Sequence, residues 1–333
     1  MNINENYVPF WMKGNDNKIA LYSSVKCVRN YNNQIFPANK KQFSPTVIVK
    51  LTDDILSEHL HNETIIKIDL QKYSISDLAI LQKIRILPNI RISELKKLTL
   101  YAHKTGKSFL LLNYQDHLTF YSYDQGASIK KAYNSLLKLI RIFDDKSFAK
   151  DENNRYLASS IEYYGTGIKC FTVLTLPEIR LKNKLPDIIS SLAQNGYSYK
   201  KYFGFGSNID DLIIIMNRDS LSIPEKDIIN NFDQFLKLLQ KETENYSVSG
   251  SELDILLRKV DRLLKIEFLT FKSFIEAYFI MTLLIAGKKI KKIRISELNK
   301  TLSILIINLP KVVHTARVKK KLLEKLTKKL NLV

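Results

Sequence analysis

Residues Leu110 to Tyr123 read Leu-Leu-Leu-Asn-Tyr-Gln-Asp-His-Leu-Thr-Phe-Tyr-Ser-Tyr, and this stretch predicts two strands joined by a polar turn. An apolar run enters the segment Asn113–His117, which we call the polar turn, and an alternating run leaves it. Alternation of apolar and polar residues with a period of two is typical of a strand with one buried face. The alternating positions after Asp116 are Leu118 and Phe120 on one face, and His117, Thr119 and Tyr121 on the other.

The segments on either side predict an α+β domain with mostly antiparallel strands flanked by helices. Lys96 to Ala102 and Lys107 to Tyr114 are typical of strands, and Lys104-Thr105-Gly106 between them is a hairpin signal. Ser44 is predicted to cap a helix that begins at Pro45. The face of this helix predicted to be buried consists of Val47, Leu51, Ile55 and Leu56. Further strands are predicted at 64–70, 168–176, 197–205 and 212–216, and further helices at 77–87, 128–143 and 185–194.

From Pro224 onward the hydrophobic spacing is helical. The predicted helices lie near 224–246, 251–266, 268–286, 296–308 and 315–330. The segment Ser247–Ser251, which contains Gly250, is the best candidate for a boundary. We therefore predict a sheet domain over residues 1–248 and an all-helical C-terminal domain over 249–333.

Composition and charge narrow the classes of protein without selecting one. The chain has 333 residues, of which 45% are hydrophobic and 26% charged, as in a folded protein. The formal net charge is +19, from 52 Lys and Arg against 33 Asp and Glu. Such a charge attracts nucleic acid, nucleotides, anionic membranes and acidic proteins alike, and it also agrees with a merely basic, solvated surface. Two cysteines, Cys27 and Cys170, exclude a disulfide framework.

The expected location is the cytoplasm, without a membrane span. The N-terminal residues lack the basic and then apolar pattern of a signal peptide. The longest apolar run, Phe274 to Gly287, contains Glu276 and is too short to cross a bilayer unaided. A buried helix is the better interpretation of this run.

Several short motifs, taken in order, are similar to those of one enzyme family. They are Trp11-Met12, Ile19 to Asn30, Phe36-Pro37, the polar turn with Leu118 and Thr119, Gly165-Thr166-Gly167-Ile168-Lys169, and Gly204-Phe205-Gly206-Ser207-Asn208. Together they resemble the ATP:guanido phosphotransferases, and among these the bacterial protein-arginine kinases. The resemblance implies an antiparallel sheet flanked by helices and, in this branch, a helical domain after it. It also implies transfer of the γ-phosphoryl group of Mg-ATP to a guanidinium nitrogen.

The resemblance also implies a set of site residues, most of which differ from the family's pattern. The two glutamates that hold and activate the guanidinium fall on Gln115 and Asn208, and Asp116 matches. The family's cysteine before Gly-Thr-Gly falls on Ser160. The nucleotide-binding positions, mostly arginine in the family, fall on Ser24, Lys26, Ile84, Thr119, Lys169 and Lys200.

These substitutions predict poor phosphorylation of arginine. An amide carries no charge and cannot act as a base at neutral pH, and loss of a general base costs about two to four orders of magnitude in rate. Lysine supplies charge but not the bidentate fork of arginine. Glu162 could replace the missing base, although an ordinary surface position is the simpler interpretation. Asp116 and His117 could equally be a structural pair at a strand edge, and Gly204-Phe205-Gly206 only a turn.

The leading functional hypothesis is a protein-arginine kinase-like protein that is a pseudokinase or a strongly weakened kinase and acts by binding protein. The first alternative is an active kinase with a remodelled site that uses Asp116 or Glu162 as base. The second is a basic adaptor for nucleic acid, based on lysine clusters such as Lys288-Lys289, Lys291-Lys292 and Lys319-Lys320-Lys321.

The cofactor and partners follow from the same hypothesis. Mg-ATP is expected if nucleotide binding is retained, and no metal site formed by the protein itself is predicted. A homodimer through the helical domain is one expected assembly. By family analogy, an activator protein, a repressor or a Clp-type protease are expected partners, whereas nucleic acid and membrane are not.

Overall fold

The computed structural model describes residues 8–202, 212–218, 220–221, 223–246, 248–264, 271–290 and 293–312. Four features predicted from the sequence lie outside these residues. They are Asn208 with the preceding segment Gly204–Ser207, the pair Lys291-Lys292, the triplet Lys319-Lys320-Lys321, and the helix predicted near 315–330.

Within the described residues, an eight-stranded antiparallel sheet forms the centre of the protein, which confirms the predicted fold class. The strands are β1 (Ala20–Arg29), β2 (Ile65–Ile68), β3 (Thr99–His103), β4 (Ser108–Leu112), β5 (Leu118–Gln125), β6 (Ile168–Leu174), β7 (Tyr197–Lys201) and β8 (Ile213–Asn217). Their order across the sheet is β2-β3-β4-β5-β1-β6-β8-β7. The sequence patterns did not identify β1 as a strand. It nevertheless lies between β5 and β6 and organises the sheet.

Helices cover both faces of the sheet. They are α1 (Pro45–His61), α2 (Ile75–Lys83), α3 (Ile92–Leu95), α4 (Ile129–Ile140), α5 (Pro177–Leu181), α6 (Leu185–Gln194), α7 (Glu225–Glu244), α8 (Gly250–Leu264), α9 (Phe271–Ala286) and α10 (Ile295–Val312). The last four agree closely with the helices predicted after Pro224. None of the described helices is long and apolar enough to cross a membrane.

The buried face of α1 is shifted by one position along the chain from the predicted one, and only Leu56 belongs to both. Ile48, Thr52 and Leu56 are buried, whereas Val47 is 42% exposed. The polar residue Thr52 is accommodated because its hydroxyl donates to the Ile48 carbonyl at 2.8 Å and lies 3.0 Å from the Tyr31 hydroxyl. Pro45 occupies the first helical turn as predicted, but the Ser44 side chain makes no capping hydrogen bond.

Two hydrophobic clusters lie on opposite faces of the sheet. One packs β1, β5 and β6 against α1, α4 and α7. The other joins Trp11, Tyr22 and Tyr123 to apolar side chains of α2, α8, α9 and α10. The second cluster therefore contains residues from both sides of the predicted boundary at 248–249, and the division into two domains stays a prediction.

Trp11 is the residue whose removal we expect to damage this second cluster most. Its ring is fully buried, stacks on Tyr123 at a centroid distance of 4.1 Å, and meets the edge of Phe109 at 5.8 Å. Trp11→Ala should lower the free energy of unfolding by about 3–5 kcal/mol, because it leaves a large cavity. Urea unfolding followed by far-UV circular dichroism measures this, since the variant lacks the chain's single tryptophan. The matched control is Ile75→Ala, whose side chain is 68% exposed. Equal stability of the two variants would contradict the prediction.

Candidate active site

Most of the predicted nucleotide-binding positions lie on one face of the sheet. Lys26 in β1 is the register partner of Lys169 in β6 and of Tyr121 in β5. Because side chains alternate along a strand, Ser24 and Thr119 share this face. Lys200 in β7 joins them, since its ammonium lies 5.8 Å from the centroid of the Phe171 ring. The face therefore unites Ser24, Lys26, Thr119, Lys169 and Lys200.

Lys26 is half-buried between aromatic rings on this face. Its ammonium is 4.3 Å from the centroid of the Tyr163 ring and 5.8 Å from that of Tyr121. Burial lowers the pKa of Lys26 to about 8, and the charges of Asp116 and Glu162 oppose this shift while Lys200 and Lys169 add to it. A lysine in these surroundings carries its charge only below mildly alkaline pH.

The other cations of the face are held differently. Lys169 is buried, donates to the Arg218 carbonyl at 2.7 Å, and lies 3.9 Å from the Glu162 carboxylate. Lys200 is exposed at the edge strand, and partial burial, followed by the charge of Arg85, lowers its pKa. Ser24 and Thr119 are buried. An anionic ligand would therefore reach Lys26 and Lys200 first.

The sixth predicted position, Ile84, is not brought to this face. Its side chain is fully buried in the cluster that contains Trp11. The next residue, Arg85, is a cation near Lys200 that the sequence analysis missed. Its backbone has a φ of 65°, and its guanidinium donates to the Tyr202 carbonyl at 2.8 Å. An arginine placed between the apolar residues Ile84 and Ile86 was the signal that could have identified it.

In the polar turn, Asp116 and His117 have structural partners. The buried Asp116 Oδ1 accepts from the Asn30 side-chain amide at 2.8 Å and from the Ser159 backbone N–H at 2.7 Å. His117 Nδ1 accepts from the Tyr31 backbone N–H at 3.0 Å, so Nε2 carries the proton and donates to the Ile35 carbonyl at 2.8 Å. Burial lowers the pKa of His117, which keeps the ring neutral.

The acceptor side of the site, where the resemblance places the guanidinium substrate, contains few charged side chains. Gln115 is exposed, and its backbone carbonyl accepts from the Ser159 hydroxyl at 2.7 Å. Ser160 lies directly beside that contact in the same loop. Glu162, at the open side of Lys169, is 63% exposed. The described part of this side thus offers an amide, hydroxyls and one exposed carboxylate.

The turn that precedes Lys169 is held by a buried arginine. Arg29 donates to the Thr166 carbonyl at 2.8 Å and to the Glu225 carboxylate at 2.7 Å. Gly167 has a φ of 69°, and a Cβ there would lie 2.5 Å from the Val28 carbonyl oxygen. Only glycine fits so close an approach. The Gly165–Gly167 segment therefore fixes the start of β6 and, with it, the position of Lys169.

The residues present fit phosphate groups better than they fit a metal ion. Lys26, Lys200 and Arg85 supply positive charge around one face. Across the described ranges, no group of three or more His, Cys, Asp or Glu side chains could hold a metal.

The sequence of this chain matches one protein family. The family is described as ATP:guanido phosphotransferase, C-terminal catalytic domain, and the match covers residues 47–245, more than half of the chain. The chain belongs to the ATP:guanido phosphotransferase family. The resemblance inferred from the motifs is therefore confirmed.

Individual relatives agree with the family assignment. The chain is 25% identical over 219 residues to a protein-arginine kinase of Clostridium acetobutylicum, an alignment that covers 65% of this chain and 64% of the relative. It is 25% identical over 229 residues to a protein-arginine kinase of Brevibacillus brevis, covering 66% and 64%. The chain thus spans less than two thirds of the length of these relatives.

Two solved kinase structures have a similar fold. A lombricine kinase superposes with a TM-score of 0.56 at 13% identity, covering 73% of this chain and 70% of that one. A duplicated taurocyamine kinase from Schistosoma mansoni, with bound transition state analog components, superposes with a TM-score of 0.55 at 15% identity, covering 78% and 38%. At these identities the likeness supports the fold.

Asp116 should prove to be a stabilising residue. Asp116→Ala leaves the Asn30 amide and the Ser159 N–H without their shared acceptor. Because hydrogen bonds to a charged group contribute about 1.5–3 kcal/mol, the free energy of unfolding should fall by about 2–3 kcal/mol. Chemical denaturation measures this, with Gln115→Ala as the exposed neighbouring control. A variant as stable as the wild type would contradict this structural role, and Asp116 would again be a candidate for the catalytic base.

Lys26 should make stability increase with pH. Between about 8 and 10.5, the unfolded chain holds a proton on Lys26 that the folded chain has released, so alkaline pH favours folding. Lys26→Met should therefore be more stable than the wild type at neutral pH, and the difference should shrink as the pH rises through this window. Unfolding curves at several pH values measure it, with the 81% exposed Lys72→Met as control. A difference independent of pH would contradict the prediction.

Proposed function

We propose that this protein is a protein-arginine kinase-like member of its family that binds the phosphates of a nucleotide but transfers phosphate to arginine poorly or not at all. It would act mainly by binding other proteins. The observation that carries the proposal is the neutral residue Gln115 at the position of a guanidinium-binding glutamate, beside an Asp116 that is engaged in structural hydrogen bonds.

The charges of the site support the proposal that it binds an arginine substrate poorly. A guanidinium has a pKa above about 12 and stays protonated, so it needs carboxylates to hold it and accept its proton. Lys26 and Lys169 are adjacent across β1 and β6 on the same face, and both repel a second cation. Without a carboxylate at position 115, this repulsion lacks its compensating partner.

The phosphate side supports retention of anion binding. Lys26 and Lys200 present ammonium groups on the open face, and Arg85 adds a guanidinium behind Lys200. Mg-ATP, when bound, would supply the transferable phosphoryl group. The residues of this chain would hold its phosphates by charge, with less directional stabilisation than arginine forks provide.

The kinase assay compares the protein with the Clostridium acetobutylicum relative under identical conditions, using γ-labelled ATP and a denatured arginine-containing protein. We expect acid-labile label on arginine to be at least about a hundredfold lower than with the relative, which corresponds to the loss of one general base. Calorimetric titration with ADP should still detect binding, and Lys200→Ala should weaken it more than Lys72→Ala does. Robust labelling of arginine would overturn the pseudokinase proposal, and absence of ADP binding would overturn the nucleotide part.

A weak kinase that uses Glu162 as its base is the second candidate. Glu162 is an exposed carboxylate 3.9 Å from the Lys169 ammonium, so it lies at the site and is open to a substrate. If slow transfer is detected, Glu162→Gln should abolish it and Glu152→Gln should not. No comparable observation favours the nucleic-acid alternative.

The expected partners belong to this proposal. A homodimer, or a complex with a kinase activator, a repressor or a Clp-type protease, would use the helical segment that follows β8 and α7. Light scattering at several protein concentrations measures the first possibility. A constant monomer mass would exclude the homodimer.

A further inference from the structure

We propose that Lys26 is a site of covalent modification by anionic acyl donors of the acyl phosphate class. Its amine would attack the acyl carbon while the neighbouring cations hold the phosphate that leaves. This proposal concerns a reaction of the protein with a small metabolite, and it is separate from phosphoryl transfer.

The surroundings of the Lys26 amine are the first support. The ammonium lies over the ring faces of Tyr163 and Tyr121, at 4.3 Å and 5.8 Å from the ring centroids. Among the described residues, the Lys26 ammonium has no hydrogen-bond or ion-pair partner, whereas Lys169 is bound to the Arg218 carbonyl and to Glu162. Lys26 is partly exposed. Acylation therefore requires no hydrogen bond or ion pair between this amine and a described residue to break.

The charged and titratable groups that face the amine are the second support. They come from five different parts of the chain, namely Asp116 in the polar turn, Glu162 and Tyr163 in the loop before β6, Lys169 in β6, Lys200 in β7 and Tyr121 in β5. Burial and the two lysines outweigh the two carboxylates and lower the pKa of Lys26 to about 8. Near pH 8 about half of the amine is neutral, against roughly 0.3% for a lysine with the ordinary value.

The exposed Lys200 would favour acyl donors that carry a phosphate over neutral acyl donors. Its ammonium lies 5.8 Å from the centroid of the Phe171 ring, and Phe171 is the register partner of Ser24, which precedes Lys26 by two positions on the same face. An acyl phosphate carries two or fewer negative charges on the group that must leave, so a nearby ammonium both attracts the reagent and stabilises the departing phosphate. Neutral acylating reagents gain nothing from this contact.

The reaction is balanced without a further reactant. The nitrogen lone pair of the neutral amine forms the N–C bond, and the C–O bond to phosphate breaks. Inorganic phosphate leaves with the electron pair of that bond. The extra proton on nitrogen passes to water, and Lys26 becomes an uncharged amide.

The test incubates the full chain with acetyl phosphate and measures acetylation rates of individual lysines by mass spectrometry. Lys26 should be modified at least about tenfold faster than Lys72, which is 81% exposed. Equal or slower modification of Lys26 would overturn the proposal. Inorganic pyrophosphate should protect Lys26 and leave Lys72 unaffected, and absence of this protection would overturn the phosphate contact.

Two controls separate amine reactivity from recognition of the phosphate. Acetic anhydride, which is neutral, should give a Lys26 to Lys72 ratio at least about threefold smaller than acetyl phosphate does. At about pH 8, Lys200→Met should slow the reaction of Lys26 with acetyl phosphate by a larger factor than its reaction with acetic anhydride, because only acetyl phosphate carries the charge that Lys200 attracts. Equal slowing with both reagents, or slowing with neither, would contradict the role of Lys200. Circular dichroism confirms that the variant is folded.

Modification would also remove a charge from the nucleotide site, and this consequence rests on the proposed function. Acetylated protein and Lys26→Gln should bind ADP more weakly than the unmodified protein. If the unmodified protein binds no ADP, the nucleotide proposal fails, while the selectivity of acetylation still decides whether Lys26 is the modified residue. If ADP binds equally well before and after acetylation, modification has no effect on the site.

Discussion

The side chain of Asn30 connects the three segments that form the candidate site. Its amide nitrogen donates to Asp116 at 2.8 Å and to the Leu157 carbonyl at 3.1 Å, and its oxygen accepts from the His117 backbone N–H at 2.8 Å. These bonds tie the end of β1 to the polar turn and to the loop that leads to the Gly165–Gly167 segment. They are buried, where an unpaired polar group is costly, so the three segments keep one relative arrangement.

These hydrogen bonds give Asp116, the acidic residue of the polar turn, a structural role. A carboxylate that accepts two hydrogen bonds inside the protein is held by its surroundings and serves to position other groups. Asp116 thus stabilises the loop Leu157–Tyr164, in which Glu162 and Tyr163 face the lysines. The described carboxylates that face the lysines are therefore the buried Asp116 and the exposed Glu162.

Lys26, Lys169 and Lys200 form a cluster of positive charge on the same face of the sheet. Burial, followed by the charges of Lys200 and Lys169, lowers the pKa of Lys26, and burial with the charges of Arg85 and Lys169 lowers the pKa of Lys200. In an active phosphotransferase a bound nucleotide would compensate such a cluster of positive charge. Together with the partial exposure of Lys26, its lowered pKa underlies the reactivity that we propose for its amine.

The sequence by itself determined the family, the antiparallel sheet and the helices after Pro224, because these depend on local periodicity and on short motifs with characteristic order. It also placed Lys26, Lys169 and Lys200 in one site, through their motif positions. Only the tertiary structure decided that Ile84 is a core residue and that Arg85 lies near the lysines, since adjacent residues of one short segment can face opposite directions. It alone showed that β1 is central, because its mixture of polar and apolar residues has no clear period. The role of Asp116 also depended on tertiary structure, since its partners Asn30 and Ser159 are distant in sequence and only folding brings them within hydrogen-bond distance.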